Sequence, residues 1–277
     1  MPELPEVETL RRDLDREVVG KRIKTVEVTG RSAVGRQPKK QFVAGLTGAK
    51  VTGGERRGLL LTLKLDTGEL LIIDIRKGGQ LRRTTIREDV AKGTQVVVTF
   101  TQGGQLRLID DTSGMDVWVT TPEALLDEVP ELSELGLDPL DEPISWTKFG
   151  QLLLRRRAKL KAILVDPTAV NGIGPVYSDE ILHAAGLRHD RTSDELSSQE
   201  MRRLYRALVE TLHDAAKHRG TTLADGRYTD LAGKLGAYQG ELKVYERDGL
   251  ACKRCRAVVT KAKVSGKTIY FCPECQV

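Results

Sequence analysis

The chain has 277 residues and a formal net charge of +5; 39% of its residues are hydrophobic and 30% are charged. This size allows two domains, and the composition is typical of a soluble globular protein. No apolar run approaches the ~18 residues that a membrane-spanning helix requires, and the acidic amino terminus lacks the basic flank and apolar core of a signal peptide. We therefore expect a cytoplasmic protein with no membrane partner.

Charge is unevenly distributed along the chain. Residues 1–120 carry 21 Lys/Arg and 16 Asp/Glu, residues 121–149 carry one and eight, and residues 150–277 carry 22 and 15. Two basic lobes thus flank an acidic connector, which suits a polyanion such as nucleic acid gripped between them. Ordinary solvated charge would give the same net value.

The chain begins MPELPEVE, and its second residue is a proline. If Met1 is trimmed, Pro2 has a free secondary amine, which is partly unprotonated at neutral pH because an α-amino group titrates near ~8. Such an amine can attack a sugar aldehyde carbon and form a Schiff base, and the neighbouring carboxylate of Glu3 could move protons. Taken alone, the simpler interpretation is that both residues only begin a helix.

The first half of the chain is predicted to be rich in β-strands. Residues 5–19 predict an amphipathic helix that stops at Gly20, and residues 24–28 predict a strand. Two hairpins follow, formed by residues 59–65 with 69–75 and by residues 94–100 with 105–110. Several strands without intervening helices indicate an antiparallel sandwich or barrel.

The second half is predicted to be helical after an acidic, proline-rich linker. Predicted helices cover residues 146–154, 159–165 and 177–185 and a segment capped by Ser197 and closed by Gly220. The sequence NGIGP at residues 171–175 lies between two of these helices. A glycine-rich turn there could present backbone N–H groups to a phosphate, or it could be a tight turn without a ligand, which the turn by itself favours.

All four cysteines lie in the last 26 residues, as Cys252-x2-Cys255 and Cys272-x2-Cys275 separated by sixteen residues. This spacing is typical of a four-cysteine zinc site made of two knuckles joined by a hairpin, here with a turn at Ser265-Gly266. Two disulfides are the alternative, but a cytosolic chain keeps its thiols reduced. We predict one structural Zn²⁺ per chain, because four cysteines leave no open position for water. The finger has six Lys/Arg and one acid and so is cationic.

Together these features resemble the formamidopyrimidine-DNA glycosylase / endonuclease VIII family over nearly the whole chain. The motifs that carry the resemblance are PELPEVET at residues 2–9, NGIG at 171–174 with YSDE at 177–180, GTTL at 220–223, ELKVY at 241–245 and YFCPECQ at 270–276. The resemblance implies an α+β protein. Its domains would be an N-terminal antiparallel β-sandwich catalytic domain (1–120), a linker (121–145), a helix–two-turn–helix domain (146–240) and a zinc-finger domain (241–277).

The resemblance also implies a base-excision-repair DNA glycosylase with AP-lyase activity. A damaged nucleotide in double-stranded DNA would be flipped out of the stack. The Pro2 amine would attack C1′, Glu3 would help protonate the opening sugar, and β- and δ-elimination would cut the strand. Asn171 and Tyr177 of the helix–two-turn–helix motif would contact DNA. We expect a nucleoid-associated monomer.

Other predicted DNA contacts come from basic residues. Arg155 and Lys161 are expected to face phosphates, although a basic helix face is commonly only solvated. Lys267 takes the position of the finger arginine; it keeps the charge but loses the bidentate geometry. Lys77 is a candidate substitute cation, and an exposed turn lysine is an equally good interpretation.

Several positions depart from the family pattern. Leu59 replaces a lysine that contacts phosphate and carries protons. Lys77 replaces a methionine that fills the gap left by the flipped base. Pro175 replaces an asparagine that binds phosphate, and KGTQ at residues 92–95 replaces a histidine-bearing stretch. An arginine and a phenylalanine are absent from the segment 111–115, although Met115 could still act as a wedge. We therefore predict a divergent member of altered specificity, or alternatively a catalytically weak or inactive protein that binds damaged DNA.

Overall fold

The computed structural model describes residues 2–30, 32–264 and 266–277. The chain divides into two compact units. The sandwich unit contains the residues up to Ser133 together with Arg219–Ala237, and the helical unit contains Glu134–His218 and Tyr238–Val277. In the described ranges, no helix has both the length and the apolar character that crossing a bilayer requires.

Two four-stranded antiparallel sheets form the sandwich unit. Its helices are α1 (Leu4–Glu17), α2 (Lys39–Leu46) and α3 (Pro122–Glu128). Its strands are β1 (Ile23–Val28), β2 (Val51–Arg57), β3 (Leu60–Leu65), β4 (Leu70–Asp74), β5 (Gln80–Thr84), β6 (Thr94–Phe100), β7 (Gln105–Ile109) and β8 (Asp116–Thr120). The sheet orders are β1-β6-β7-β5 and β2-β3-β4-β8. The predicted α+β class with an N-terminal sandwich is confirmed.

Alternating apolar residues explain why these strands form a sandwich. Residues two apart on a strand share one face, and the core takes such pairs from both sheets. The pairs are Leu61 and Leu63, Leu71 and Ile73, Val96 and Val98, and Leu106 and Leu108. Helix α1 adds one apolar face to the same core, so its amino-terminal end is held on the sandwich.

The predicted linker contains a helix. Thr121 caps α3 by accepting a hydrogen bond from the Ala124 backbone N–H, and Leu125 is buried. The Glu128 carboxylate accepts from the Trp118 indole at 2.7 Å and from the Thr120 hydroxyl at 2.9 Å. The acidic composition of this segment predicted a linker, but the structure contains a helix there. Contacts of its Glu128 side chain with β8 stabilise that helix.

Residues 219–237 pack with the sandwich unit, whereas the predicted helical domain extends to residue 240. The Arg219 guanidinium pairs with Asp230 at 2.8 Å and also with Asp13, and both carboxylates are almost completely buried. The Arg83 backbone N–H donates to the Leu231 carbonyl at 2.7 Å. Asp13 and Arg219, like Arg83 and Leu231, are far apart in sequence, so no local pattern could have indicated these contacts.

The helical unit contains α4 (Trp146–Arg156), α5 (Leu160–Leu164), α6 (Pro175–Ala185) and α7 (Ser198–Lys217), followed by β9 (Thr260–Val264) and β10 (Lys267–Phe271). The predicted capping box of Ser197 and Glu200 is present at the start of α7. The predicted end at Gly220 is wrong, because α7 ends at Lys217 and Arg219 already has a positive φ of 62°. Strands β9 and β10 pair antiparallel, as predicted; Ser265 of the predicted turn lies outside the described residues.

Candidate active site and metal centre

Pro2 lies half-buried at the start of α1, and the turn that follows it is held by one carboxylate. The Glu6 side chain is buried; its Oε2 accepts from the Glu3 backbone N–H at 2.8 Å and its Oε1 from the Thr221 backbone N–H at 2.7 Å. Glu3 itself is 2% exposed and caps α1. The sequence pattern suggested no role for Glu6. The usable signal was its position three residues after the cap, which is where a capping box places a carboxylate.

Glu6→Gln should loosen this turn. A glutamine keeps one oxygen acceptor but turns an N–H₂ group toward a backbone donor, so one of the two hydrogen bonds is lost in a buried place. We expect the free energy of unfolding to fall by about 1–3 kcal/mol. Urea denaturation of the variant and wild type measures this difference. Glu17→Gln, at a partly exposed position at the other end of α1, is the matched control and should leave the free energy of unfolding within about 0.5 kcal/mol of the wild-type value.

A cavity of about 370 Å³ opens beside Pro2 in the sandwich unit. Its walls carry the cations Lys77, Lys92 and Arg227 and the acids Asp111 and Asp225. The structure therefore brings the predicted nucleophile and the candidate cation Lys77, which is exposed, to the same cavity. A polar, positively biased wall of this kind suits an anionic sugar-phosphate ligand.

Two glycines let the cavity wall pack tightly against the next loop. A Cβ atom on Gly78 would lie 2.4 Å from the Thr112 hydroxyl oxygen, and one on Gly79 would lie 2.4 Å from Met115 Cε. Both glycines have positive φ, at 155° and 101°. Met115 is consequently buried at 3% exposure and belongs to the sandwich core. The prediction that Met115 could act as a wedge is wrong in this structure.

Leu59 lies at the turn between β2 and β3. It is partly buried and packs against the sandwich core. A leucine there adds apolar contact and supplies neither a proton carrier nor a phosphate ligand. Leu59 therefore contributes to the packing of the sandwich core.

Of the predicted DNA contacts in the helical unit, two residues are buried and two are exposed. Asn171 is buried and donates from Nδ2 to Asp138 Oδ2 at 3.2 Å, and Tyr177 is fully buried with its ring 5.8 Å from that of Tyr238. Arg155, in the last turn of α4, and Lys267, at the start of β10, are both exposed. Exposure is what a phosphate ligand needs, so the two basic residues are the better placed; all four roles stay predictions.

Lys161 forms an ion pair inside the helical unit. Its Nζ lies 2.6 Å from Asp179 Oδ1, and the lysine and aspartate side chains are 16% and 2% exposed. Burial raises the pKa of Asp179 to about 6, against the opposing effects of Lys161 and of the Tyr270 backbone N–H. In this structure the ammonium group of Lys161 is paired with the Asp179 carboxylate. The phosphate contact predicted for Lys161 remains a prediction.

Lys161→Ala should destabilise the protein by about 2–4 kcal/mol, because it leaves a buried carboxylate without its cation. Asp179 has a raised pKa, so the native state binds more protons than the unfolded state between about pH 4 and pH 6, and stability falls as pH rises through this window. The loss caused by Lys161→Ala should therefore be larger at pH 8 than at pH 5. Urea unfolding at both pH values measures it.

The control for this prediction is Asp179→Asn, which removes the buried charge. In that background, Lys161→Ala should cost less than it does in the wild type. An equal cost in both backgrounds would show that the ion pair contributes nothing to stability.

Helix α6 also holds the segments around the cysteines. The Glu180 carboxylate is buried and accepts three backbone hydrogen bonds of 2.9 Å, from Lys243, Val244 and Tyr245. Asp179 Oδ2 accepts from the Tyr270 backbone N–H at 3.0 Å. Two adjacent acids of the YSDE motif thus fix both the entry to the finger and its second strand.

The four cysteines converge at one point. Their Sγ atoms all lie within 4.8 Å of one another; Cys252 and Cys275 are 3.8 Å apart, and Cys255 and Cys272 are 3.4 Å apart. A disulfide requires about 2.05 Å, so all four thiols are free, whereas a tetrahedral zinc with ~2.3 Å bonds separates its sulfurs by nearly 4 Å. The backbone N–H of Arg254 donates to Cys252 Sγ at 3.4 Å, which is a contact that stabilises a thiolate. The donor set fits a structural metal ion.

An antiparallel sandwich with Pro2 at a charged cavity, together with a helical unit that ends in a four-cysteine finger, is the arrangement expected of a helix–two-turn–helix DNA glycosylase. The model of the formamidopyrimidine-DNA glycosylase N-terminal domain matches residues 1–113, and that of the H2TH domain matches residues 135–226. The chain belongs to the formamidopyrimidine-DNA glycosylase family, whose members are DNA glycosylase and AP lyase enzymes. The predicted family resemblance is confirmed.

Individual relatives match over the full length. The formamidopyrimidine-DNA glycosylase of Pelotomaculum thermopropionicum is 36% identical over 276 residues, which cover 100% of this chain and 99% of the relative. That of Geobacillus kaustophilus is 37% identical over 278 residues, with 100% coverage of both. The structure of Lactococcus lactis Fpg in complex with DNA containing an abasic site has a TM-score of 0.88 at 31% identity, covering 99% of each chain. A complex of the same enzyme with Fapy-dG DNA has a TM-score of 0.86 at 30% identity, with the same coverage.

Proposed function

We propose that this protein removes a damaged base from DNA through a Schiff base on Pro2, after Met1 has been trimmed, and then cleaves the strand. The observation that carries the proposal is the position of Pro2 at the wall of the 370 Å³ cavity. The Glu6 carboxylate holds the turn after Pro2 by two backbone hydrogen bonds, so the amine is positioned before substrate arrives. The Lactococcus lactis complexes with abasic and Fapy-dG DNA support damaged DNA as the partner.

In this mechanism the Pro2 nitrogen forms a bond to C1′ while the glycosidic bond breaks; the base leaves with the electron pair of that bond and takes up the proton released by the nitrogen. Glu3 then donates a proton to O4′ as the sugar ring opens, which leaves an iminium on the proline. The iminium acidifies the C2′ protons, so β-elimination expels the 3′ phosphate and δ-elimination expels the 5′ phosphate. Glu3 is buried at 2% exposure and caps α1 directly after Pro2, so its carboxyl group is held next to the candidate nucleophile.

We propose that Cys252, Cys255, Cys272 and Cys275 hold one Zn²⁺ and that the ion is structural. The finger that it stabilises presents the exposed Lys267 to the DNA backbone. Arg155 and Lys77 are the other exposed cations proposed to contact phosphates. The protein acts as a monomer in this proposal.

Altered specificity relative to 8-oxoguanine enzymes is part of the proposal. Leu59, Lys77 and Pro175 differ from the family pattern, and Met115 is buried in the sandwich core. Lys77 stands where the family fills the space left by the flipped base, whereas Leu59 and Pro175 stand where it contacts phosphate. The scaffold, the candidate nucleophile and the cysteines are kept.

The first experiment is an intact-mass measurement, followed by borohydride trapping on a panel of lesion oligonucleotides. Loss of the Met1 mass must be seen, because an acylated proline nitrogen cannot form an iminium. The panel contains oxidised purines, oxidised pyrimidines, bulky adducts and abasic sites, each as single strand and duplex. Failure to trap a covalent adduct on every substrate would sink the proposal.

A catalytically weak or inactive damaged-DNA-binding protein is the second candidate. The observation that favours it is Leu59, which packs against the core where the family carries a proton-carrying lysine. Tight, salt-sensitive binding to damaged DNA without turnover would identify this function. Trapping and binding measured on one preparation separate the two candidates.

A further inference from the structure

Among the described residues that line the cavity beside Pro2, no large apolar side chain stands exposed at the rim where it could enter a base stack. On the two loops that adjoin the cavity, the exposed side chains that line it are those of Lys77, Asp111 and Thr112. Among the described residues that line the cavity, the large apolar side chain is Ile109, and it is partly buried on β7. This rim is short and polar.

The loop that follows β7 is fixed in this conformation. The buried Asp110 accepts from the Thr112 backbone N–H at 2.8 Å, from the Thr112 hydroxyl at 2.7 Å and from the Met115 backbone N–H at 2.7 Å. A Cβ atom on Gly114 would lie 2.5 Å from the Lys77 carbonyl oxygen. Exposing Met115 would break these contacts and open the sandwich core, so this methionine is unsuited to act as a wedge.

Extruding a nucleotide from a duplex leaves a gap and an unpaired partner base. Proteins that unstack DNA commonly offset this by inserting an apolar side chain into the stack. The cost of extrusion is smallest when the base is already unpaired. A rim without a filler therefore disfavours duplex DNA far more than it disfavours a single strand.

We infer that the preferred substrate is a lesion or abasic site in unpaired DNA, that is, in a single strand or a single-stranded loop. This inference rests on the proposed function and departs from the duplex partner that the sequence predicts. The cavity wall fits such a ligand. Lys77 and Lys92 supply flexible ammonium groups for a mobile backbone, and the Arg227 side chain, 70% exposed, offers a planar face on which an unstacked base can lie.

The test compares one abasic oligonucleotide as a single strand and annealed to its complement. Single-turnover rates of borohydride-trapped adduct are measured at equal ionic strength with the full-length protein. We expect the single strand to react at least about tenfold faster. An equal or faster reaction on the duplex overturns the inference and leaves the proposed function intact, whereas no adduct on either form is the failure of the proposed function itself.

A pair of variants tests the rim as the cause. Lys77→Met places an apolar side chain of similar length at the rim and should raise the duplex-to-single-strand rate ratio at least about threefold. Lys77→Gln, which removes the charge without adding an apolar end, should not raise it. An unchanged ratio in Lys77→Met overturns the assignment to the rim.

Ile86 and Val90 provide the control for a wedge elsewhere in the sandwich unit. Both are exposed, at 59% and 56%, on the segment that leads to Lys92. If either enters the stack, Ile86→Ser with Val90→Ser lowers the duplex rate selectively, and the inference is overturned. An unchanged rate ratio supports it.

Discussion

Replacing Pro2 by glycine is expected to reduce the borohydride-trapped adduct with abasic DNA by at least about a hundredfold. Proline supplies a secondary amine, whose condensation product with C1′ is a permanently charged iminium. It also has a rigid ring, and the turn after it is held by Glu6. Glycine keeps an amine but loses the ring and the fixed orientation. The adduct is measured by denaturing gel under single-turnover conditions.

Two controls separate this loss from misfolding. Binding of the Pro2→Gly variant to the same DNA should persist, because the cations proposed to contact phosphate are unchanged. Pro2→Glu has a bulky second residue and therefore keeps Met1, so it should give no adduct through residue 2. Wild-type trapping rates in Pro2→Gly would exclude the proline as the nucleophile.

Replacing Cys272 by serine is expected to unfold the finger. Cys272 is completely buried and is one of four sulfurs within 4.8 Å of one another. Structural zinc sites contribute roughly 10 kcal/mol or more of binding free energy, which a small finger cannot replace. We expect one zinc per wild-type chain by elemental analysis and none in the variant. Hydrogen exchange should show loss of protection in β9 and β10, with weaker DNA binding.

The matched control for the finger is Lys267→Ala. It removes an exposed cation at the start of β10 and should leave both zinc content and exchange protection unchanged. Protection of α7 should stay high in both variants, because its buried face packs against α6 and not on the metal site. A wild-type protein that contains no metal, or a Cys272→Ser variant with full protection, would contradict a structural zinc site.

Local signals in the sequence were sufficient for much of the fold. Alternating apolar residues predicted the two central hairpins, and the Ser197 capping box predicted the start of α7. Strands β2, β5 and β8 were missed. β2 contains two glycines and β5 two arginines, so neither has the clear alternation of a half-buried strand. β5 pairs with β7 and β8 pairs with β4, which are distant in sequence, so no short window shows these hydrogen bonds, whereas β2 forms a local hairpin with β3.

The candidate site divides in the same way. The candidate nucleophile Pro2 and the four-cysteine site could be predicted from the sequence. Their chemistry depends on residue types over a few positions, which a short pattern shows. The Glu6–Thr221 hydrogen bond and the Arg219–Asp13 ion pair were missed, because the partners lie more than 200 residues apart. Asn171, Tyr177 and Lys161 were predicted as DNA contacts, and the structure shows that the first two are buried and the third is paired with Asp179.

The sequence by itself determined the family, the order of the two kinds of structure and the four sulfurs of the finger, since each depends on short-range patterns. Only the tertiary structure decided the surroundings of Pro2: a charged cavity, a Met115 turned into the core, and a loop of residues 219–237 joined to the sandwich unit. These features arise from burial and from ion pairs between distant segments. Their energies depend on which residues meet in space, and the order of residues along the chain does not reveal that.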